Sequence, residues 1–378
     1  MKDLVYLDNS ATTKPCEESL KHLNSALCEN WGNPSSLHTV GINAEDILIS
    51  CKKVCAKAIS ARPDEIFFTS GGTEANNTAI NGAVLSRAKR GNRIVTTSIE
   101  HPSVLEVIKN FETQGFEVVY LKPQQNGKIS VTELNDAINE KTVLVSIMLV
   151  NNEIGSIQPV KAAADAIKAK NSPALLHCDA VQAFGKMPIK VSALGVDLLT
   201  FSGHKIHAPK GIGVLYKKKG VHIAPLVFGG GQQENLRPGT EPVPLIAALE
   251  GAISALPELA LQTNKALELY SYAKEELVKT GFVFVNSPED ALPYVLNVSM
   301  PGWRSETLLH FLDSKAVIIS SGSACAKGAI SPTLTALGLD KKRIDSALRI
   351  SFSRFNTKAD IDLLVSALTE ATKKLKRS

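Results

Sequence analysis

The chain has 378 residues, of which 44% are hydrophobic and 21% charged, with a formal net charge of +5 at pH 7. That length allows two or three domains with a sizeable core, and the composition is ordinary for a soluble globular protein. The positive charge is spread along the chain except for Lys373-Lys-Leu-Lys-Arg377, a solvated helix end or frayed tail, so neither nucleic acid nor a membrane is indicated as a direct partner.

Residues 1–14 read as an extended arm, without an apolar signal region. No uninterrupted apolar run approaches the ~20 residues of a membrane span, and the expected location is the cytoplasm. Six cysteines (16, 28, 51, 55, 178 and 325) contain no Cys-x-x-Cys pair and read as reduced thiols. Cys51 and Cys55 share one helix face, where core packing outweighs metal binding because no nearby ligand completes a site. No resident metal site is expected.

Helical periodicity covers Cys16–Asn30 and Val40–Ala61, around a turn-rich loop from Trp31 to His38. Strands are then expected at Asp64–Thr69, Arg93–Ser98, Glu117–Leu121, Val143–Val150 and Ala174–Cys178. Helices fall between them: from about Ser70 to Arg90, then His101–Gln114, Val131–Asn139 and Val160–Lys170. Strands alternating with helices of this length imply right-handed crossovers and a mostly parallel sheet. Ligands in such sheets sit at the carboxyl ends of strands, where Thr73, His101, Asn152, Asp179 and Lys205 all fall. After strands at Asp197–Phe201 and Gly211–Tyr216 come a glycine-rich loop to Thr240 and a helical region, Pro244–Thr280, punctuated near Pro257. A second, smaller unit follows. It has strands at Phe282–Val285, Val295–Ser299 and Ala316–Ser320, and helices at Ser305–Leu312, Ser331–Leu337 and Lys358–Lys374.

Three stretches carry chemistry. Ser70-Gly-Gly-Thr73 follows a strand and opens a helix, so free N–H groups, the positive end of the helix dipole and a hydroxyl face one spot, as an anion requires. By itself it is equally a capped helix. Leu175-Leu-His-Cys-Asp-Ala-Val-Gln182 ends a strand in a carboxylate, with an amide three residues on. The two can meet one planar ring, Asp179 at a ring nitrogen and Gln182 at a ring hydroxyl, although a lone Asp there is more often a helix cap. Ser202-Gly-His-Lys205 ends the next strand. A lysine so placed can be desolvated, and only a neutral amine attacks a carbonyl. With Asp179 as pyridinium partner, Lys205 fits a pyridoxal phosphate site.

On these words, and on Ser321-Gly-Ser-Ala-Cys325, the chain resembles the class V aminotransferase fold, specifically the NifS/IscS-type cysteine desulfurases. The resemblance runs from Tyr6-Leu-Asp-Asn-Ser-Ala-Thr-Thr13 to Arg349-Ile-Ser-Phe-Ser-Arg-Phe-Asn-Thr357. It implies an α/β, aspartate aminotransferase-like fold: a mostly parallel seven-stranded sheet in a large domain (15–255), a smaller α+β domain (256–378) carrying the Cys325 loop, and an arm (1–14) packing with the latter. It also implies roles. Lys205 holds pyridoxal phosphate and acts as base at the substrate Cα, and Asp179 holds the ring nitrogen. Gln182 and Asn152 bond the ring oxygen, and His101 stacks on the ring and relays protons. Gly72, Thr73, Ser202 and His204 hold the phosphate, and Thr240 reaches the phosphate of the other subunit of a homodimer. Arg349 receives the carboxylate of L-cysteine.

Cys325, in a small polar loop that favours an exposed, ionisable thiol, takes the sulfur as a persulfide for an acceptor or scaffold protein serving iron–sulfur cluster assembly or thiolation of tRNA or cofactors. Transient ligation of a cluster by Cys325 stays open. So do two rivals, a selenocysteine lyase or related β-lyase and an inactive sulfur-relay scaffold. Two departures stand out. Ala208 replaces the usual Gly of His-Lys-x-x-Gly-Pro-Lys-Gly, and the Cys325–Arg349 segment is slightly short, which leaves the acceptor undefined.

Overall fold

The computed structural model describes residues 4–321 and 331–377. Strand β1 (Val5–Tyr6) opens the arm, and α1 (Glu17–Cys28) and α2 (Thr39–Ile59) follow. Strands and helices then alternate: β2 (Ile66–Thr69), α3 (Gly72–Arg87), β3 (Arg93–Thr97), α4 (Pro102–Thr113), β4 (Glu117–Leu121) and α5 (Val131–Ala137). Next come β5 (Thr142–Ser146), α6 (Val160–Ala169), β6 (Leu175–Asp179), α7 (Val191–Leu194), β7 (Leu198–Ser202) and β8 (Gly213–Lys217). Helices α8 (Val243–Ser254) and α9 (Leu259–Lys279) meet at a 76° bend. Beyond them lie β9 (Phe284–Val285), β10 (Val295–Ser299), α10 (Ser305–Asp313), β11 (Val317–Ile318), β12 (Ser320–Ser321), α11 (Pro332–Ala336), α12 (Lys341–Asp345), β13 (Ala347–Ser351) and α13 (Lys358–Lys374).

Seven strands form one sheet in the order β2-β8-β7-β6-β5-β3-β4. Strand β8 runs antiparallel to both its neighbours. The ten residues between β7 and β8 suit a hairpin-like return and are too few for a parallel crossover. Alternate strand residues face opposite sides. Phe68, Val95, Val145, Leu176 and Leu199 join one hydrophobic cluster, while Phe67, Ile94, Leu144, Leu175 and Leu198 join another. Helix α3 lies across the second face against β5 to β8. Its buried side is mostly small (Ala75, Ala79, Gly82 and Ala83, beside Ile80 and Val84), so the helix can lie close to the sheet, with its first turn at the carboxyl ends of β6 and β7.

A second, antiparallel sheet has the order β12-β13-β10-β9, and β1 pairs in parallel with β11 through Val5–Val317 and Tyr6–Ile318. Their shared cluster includes Val5, Leu7, Leu296, Val298, Leu348, Ile350, Leu364 and Leu368. Three expectations change. The run Ala316–Ser320 serves two sheets, because β11 pairs with the arm whereas β12 pairs with β13. The strand expected over Val143–Val150 stops at Ser146, and the chain beyond it turns back to bridge Val150 with Ile157. Strand β13 was not predicted, since Arg349 interrupts its apolar pattern. Among the described residues, no single helix is long and apolar enough to cross a membrane.

Candidate active site

The carboxyl edge of the large sheet gathers most of the predicted residues. Asp179 is the last residue of β6 and is buried. Its Oδ2 accepts from Asn76 Nδ2 at 2.8 Å, and its Oδ1 from the Val181 N–H at 2.9 Å. Asn76, also buried, donates to Ser103 Oγ and accepts from Thr200 Oγ1. A buried amide with every polar atom engaged is a rigid support for the carboxylate. Asn76→Ala should lower stability by about 1–3 kcal/mol, the usual cost of leaving buried polar partners unpaired. Urea unfolding of the cofactor-free protein measures it, and an unchanged midpoint and slope would refute the assignment.

His101 caps α4 and accepts at Nδ1 from the Ser103 N–H at 3.1 Å. A backbone N–H can only donate, so the proton of the neutral ring sits on Nε2. Burial lowers the His101 pKa, opposed by Asp179 and assisted by Lys205, which places all three within electrostatic reach of one another. At the start of α3, a Cβ on Gly72 would lie 3.0 Å from Val181 Cγ2 and 3.6 Å from Ser202 Cβ. This close approach aims the free N–H groups of the first turn at Ser202. The Ser202 hydroxyl is buried and has no hydrogen-bond partner among the described residues. Thr73 is exposed beside it and, with His101, lines a cleft of about 540 Å³ between α3 and α4.

The arm threads through this group. Lys205 Nζ donates to the carbonyls of Ser10 and Ala11, both at 2.6 Å, and Gln182 Nε2 donates to the same Ser10 carbonyl at 3.0 Å. His204 Nδ1 lies 3.1 Å from Thr12 Oγ1, and its backbone carbonyl accepts from the Thr13 N–H. Burial, with Lys205 and other nearby cations, lowers the His204 pKa to about 4. Arg349 is 4% exposed. It donates from Nη2 to Asp8 Oδ1 at 2.8 Å and from Nη1 to the Asn152 carbonyl at 3.2 Å. The arm therefore ties Arg349 at Asp8, Lys205 and Gln182 at Ser10, and His204 at Thr12.

The amine of Lys186 is also buried here, donating to Gln182 Oε1 at 3.4 Å. Burial, then Lys205 and Arg349, lower its pKa to about 7. An unfolded lysine titrates near ~10.4, so between these values the unfolded chain binds more protons and stability rises with pH. Wild type should therefore gain on Lys186→Met as pH is raised from 7 to 10. A pH-independent difference in unfolding free energy would overturn this.

The class-V aminotransferase family model matches residues 5–364. The chain belongs to the class-V aminotransferase family. Similar sequences include a cysteine desulfurase IscS from Methanosarcina thermophila, 41% identical over 98% of this chain and 93% of that one. Another from Dictyoglomus turgidum is 38% identical over 100% of this chain and 96% of that one. Among solved structures, a NifS-like protein superposes with a TM-score of 0.93 at 37% identity, covering 98% of this chain and all of the other. The structure of SspA in complex with cysteine gives a TM-score of 0.83 at 32% identity over 93% and 99%.

The family depends on pyridoxal phosphate, and the fold is the one expected of it. The residues present fit that cofactor. The buried Ser202 hydroxyl without a partner and the first turn of α3 suit a phosphate. A desolvated carboxylate at Asp179 suits a protonated ring nitrogen, and Lys205 and Gln182 face the same arm carbonyl.

Cys325 lies outside the described residues. Thr240 is exposed on its loop. That loop is anchored by Arg237 Nε donating to Glu74 Oε1 at 2.9 Å, in the first turn of α3. Asn152 reaches Arg349 through its backbone carbonyl. Asn76, Ser103, Lys186 and the arm's Asp8, Ser10 and Thr12 were not singled out from sequence. The run Asp8-Asn-Ser-Ala-Thr-Thr13 is short, polar and non-periodic, so its composition signals a loop and its partners do not show.

Proposed function

We propose that the chain is a cysteine desulfurase of this family, converting L-cysteine to L-alanine and leaving the sulfur as a persulfide on Cys325. The observation that carries the reading is the pairing of Ser320 with Arg349 between β12 and β13. Cys325 follows Ser321 by four residues, and four residues span at most about 14 Å. The Ser-Gly-Ser-Ala-Cys word that ends in Cys325 therefore begins on the strand paired with the one bearing Arg349, whose guanidinium would receive the substrate carboxylate.

When bound, pyridoxal phosphate supplies the electron sink that lets a proton leave the substrate Cα. Asp179, supported by Asn76, keeps a proton on the ring nitrogen, while Ser202, His204, Gly72 and Thr73 hold the phosphate. Gln182 and Asn152 would hold the ring oxygen. Lys205 Nζ would hold the cofactor at its carbonyl carbon and move the proton at Cα. His101 would pack against the ring and relay a proton through Nε2. Arg349, its fork steadied by Asp8, fixes the amino acid's orientation. The Cys325 thiolate bonds to the substrate sulfur as the Cβ–S bond breaks. The bonding pair stays on carbon, and the proton given up by the substrate thiol ends in the methyl group of alanine.

A homodimer fits the exposure of Trp31, Leu37 and Phe228, large apolar side chains on loops. Phe228 lies on the loop that also bears Thr240, whose partner would be the other subunit's phosphate. Three segments divide the work. Residues 15–255 hold the cofactor, residues 256–378 carry Arg349 and Cys325, and the arm 1–14 packs with the smaller unit and joins the two. The acceptor is a scaffold or carrier protein in iron–sulfur cluster assembly or in thiolation of tRNA or cofactors, in the cytoplasm. Incubation with pyridoxal phosphate and L-cysteine should yield alanine and protein-bound persulfide in equal amounts before an acceptor thiol is added. Sulfide and pyruvate as the products would instead mark a β-lyase.

A further inference from the structure

Just downstream of Cys325 the chain is fastened by a carboxylate that the reading above leaves without a role. Ser331 Oγ donates to Glu153 Oε2 at 2.5 Å, and Thr333 Oγ1 donates to Glu153 Oε1 at 3.3 Å. Asn151 donates from Nδ2 to Thr333 Oγ1 at 3.4 Å and accepts at Oδ1 from the N–H groups of Glu153 and Ile154. Asn297, on β10, donates to the Glu153 carbonyl at 3.1 Å. Beneath these bonds, Ile154 packs with Leu334, Leu337 and Ala347 in a small apolar cluster of its own. Burial raises the Glu153 carboxyl to about 7 against the pull of Ser331, Arg349 and Thr333, as for a carboxyl withdrawn from water, where its hydrogen bonds are strong. The residue before Glu153 is Asn152, whose carbonyl holds Arg349.

We propose that Glu153 is a positioning residue for the sulfur-transfer step: it clamps the chain at Ser331 and Thr333, six and eight positions after Cys325 in the sequence, to the loop that also steadies Arg349. This rests on the desulfurase reading. A clamp of this kind acts on sulfur transfer alone, because Lys205 and Asp179 are held by other elements. Misplacing a reacting group by about 1 Å can cost ~10²-fold. Glu153→Ala should therefore slow alanine formation from L-cysteine by roughly tenfold to a hundredfold.

The same variant should release chloride from 3-chloro-L-alanine at the wild-type rate, since chloride leaves without a thiol to take it. Glu153→Gln, whose amide oxygen still accepts from Ser331, should recover most of the cysteine activity. Thr333→Val keeps the shape but removes one hydroxyl bond, and should show a smaller loss with the same selectivity; it decides the matter if Glu153→Ala does not fold. Equal losses on both substrates, or no loss on either, would overturn the clamp. A Cys325→Ala control that still desulfurates cysteine at the wild-type rate would instead overturn the reading beneath it, whatever Glu153 does.

Discussion

Lys205→Ala should fold and still take up pyridoxal phosphate, yet turn over L-cysteine at least ~10²–10⁴-fold more slowly, the range lost with a general base. Cofactor uptake should survive because the phosphate cradle and the Asp179 support belong to other elements, α3 and β6. Turnover should fail because, among the described residues, no other amine sits at the end of β7; the buried Lys186 faces Gln182 and Tyr294. Losing the two bonds to Ser10 and Ala11 loosens the arm and adds a modest stability cost, about 1 kcal/mol per bond. Cofactor binding is read from absorbance after gel filtration and turnover from alanine release. Normal alanine release by the variant would remove Lys205 from the site.

Cys325→Ala should produce no protein-bound persulfide and form alanine from L-cysteine at least ~10²-fold more slowly, while still releasing chloride from 3-chloro-L-alanine. The thiolate is needed to take the sulfur as the Cβ–S bond breaks, and no described cysteine substitutes for it. Cys16, Cys51, Cys55 and Cys178 are buried, and burial pushes the Cys51 and Cys178 thiols further from ionising. Cys28 is exposed but sits at the end of α1. Persulfide is measured by alkylation and mass spectrometry. Equal alanine rates in variant and wild type would remove the nucleophile assignment.

Helix α13 was legible to the residue, Lys358–Lys374, because its apolar period and charged outer face stand alone in the sequence. Strand β4, Glu117–Leu121, was equally exact, and β6 lay one residue further along the chain than expected. By contrast, β13 was missed because Arg349 turns inward among apolar neighbours, toward Asp8 and Asn152, and an inward arginine breaks the pattern that marks a strand. Glu153 and Asn76 were equally silent. Each reads as a surface polar residue until the chain 178 or 103 positions away comes to meet it.

Sequence by itself determined the alternating architecture and the family, and it put forward the residues proposed for the chemistry, because those depend on local periodicity and on motifs whose spacing is short. Tertiary structure alone decided that the arm, through Asp8, Ser10 and Thr12, joins lysine, glutamine, histidine and arginine in one site. It also decided that the root of the Cys325 segment is tied to the wall holding Arg349. Such ties are hydrogen bonds between residues far apart in the chain, and they leave no period or composition for a sequence reader to find.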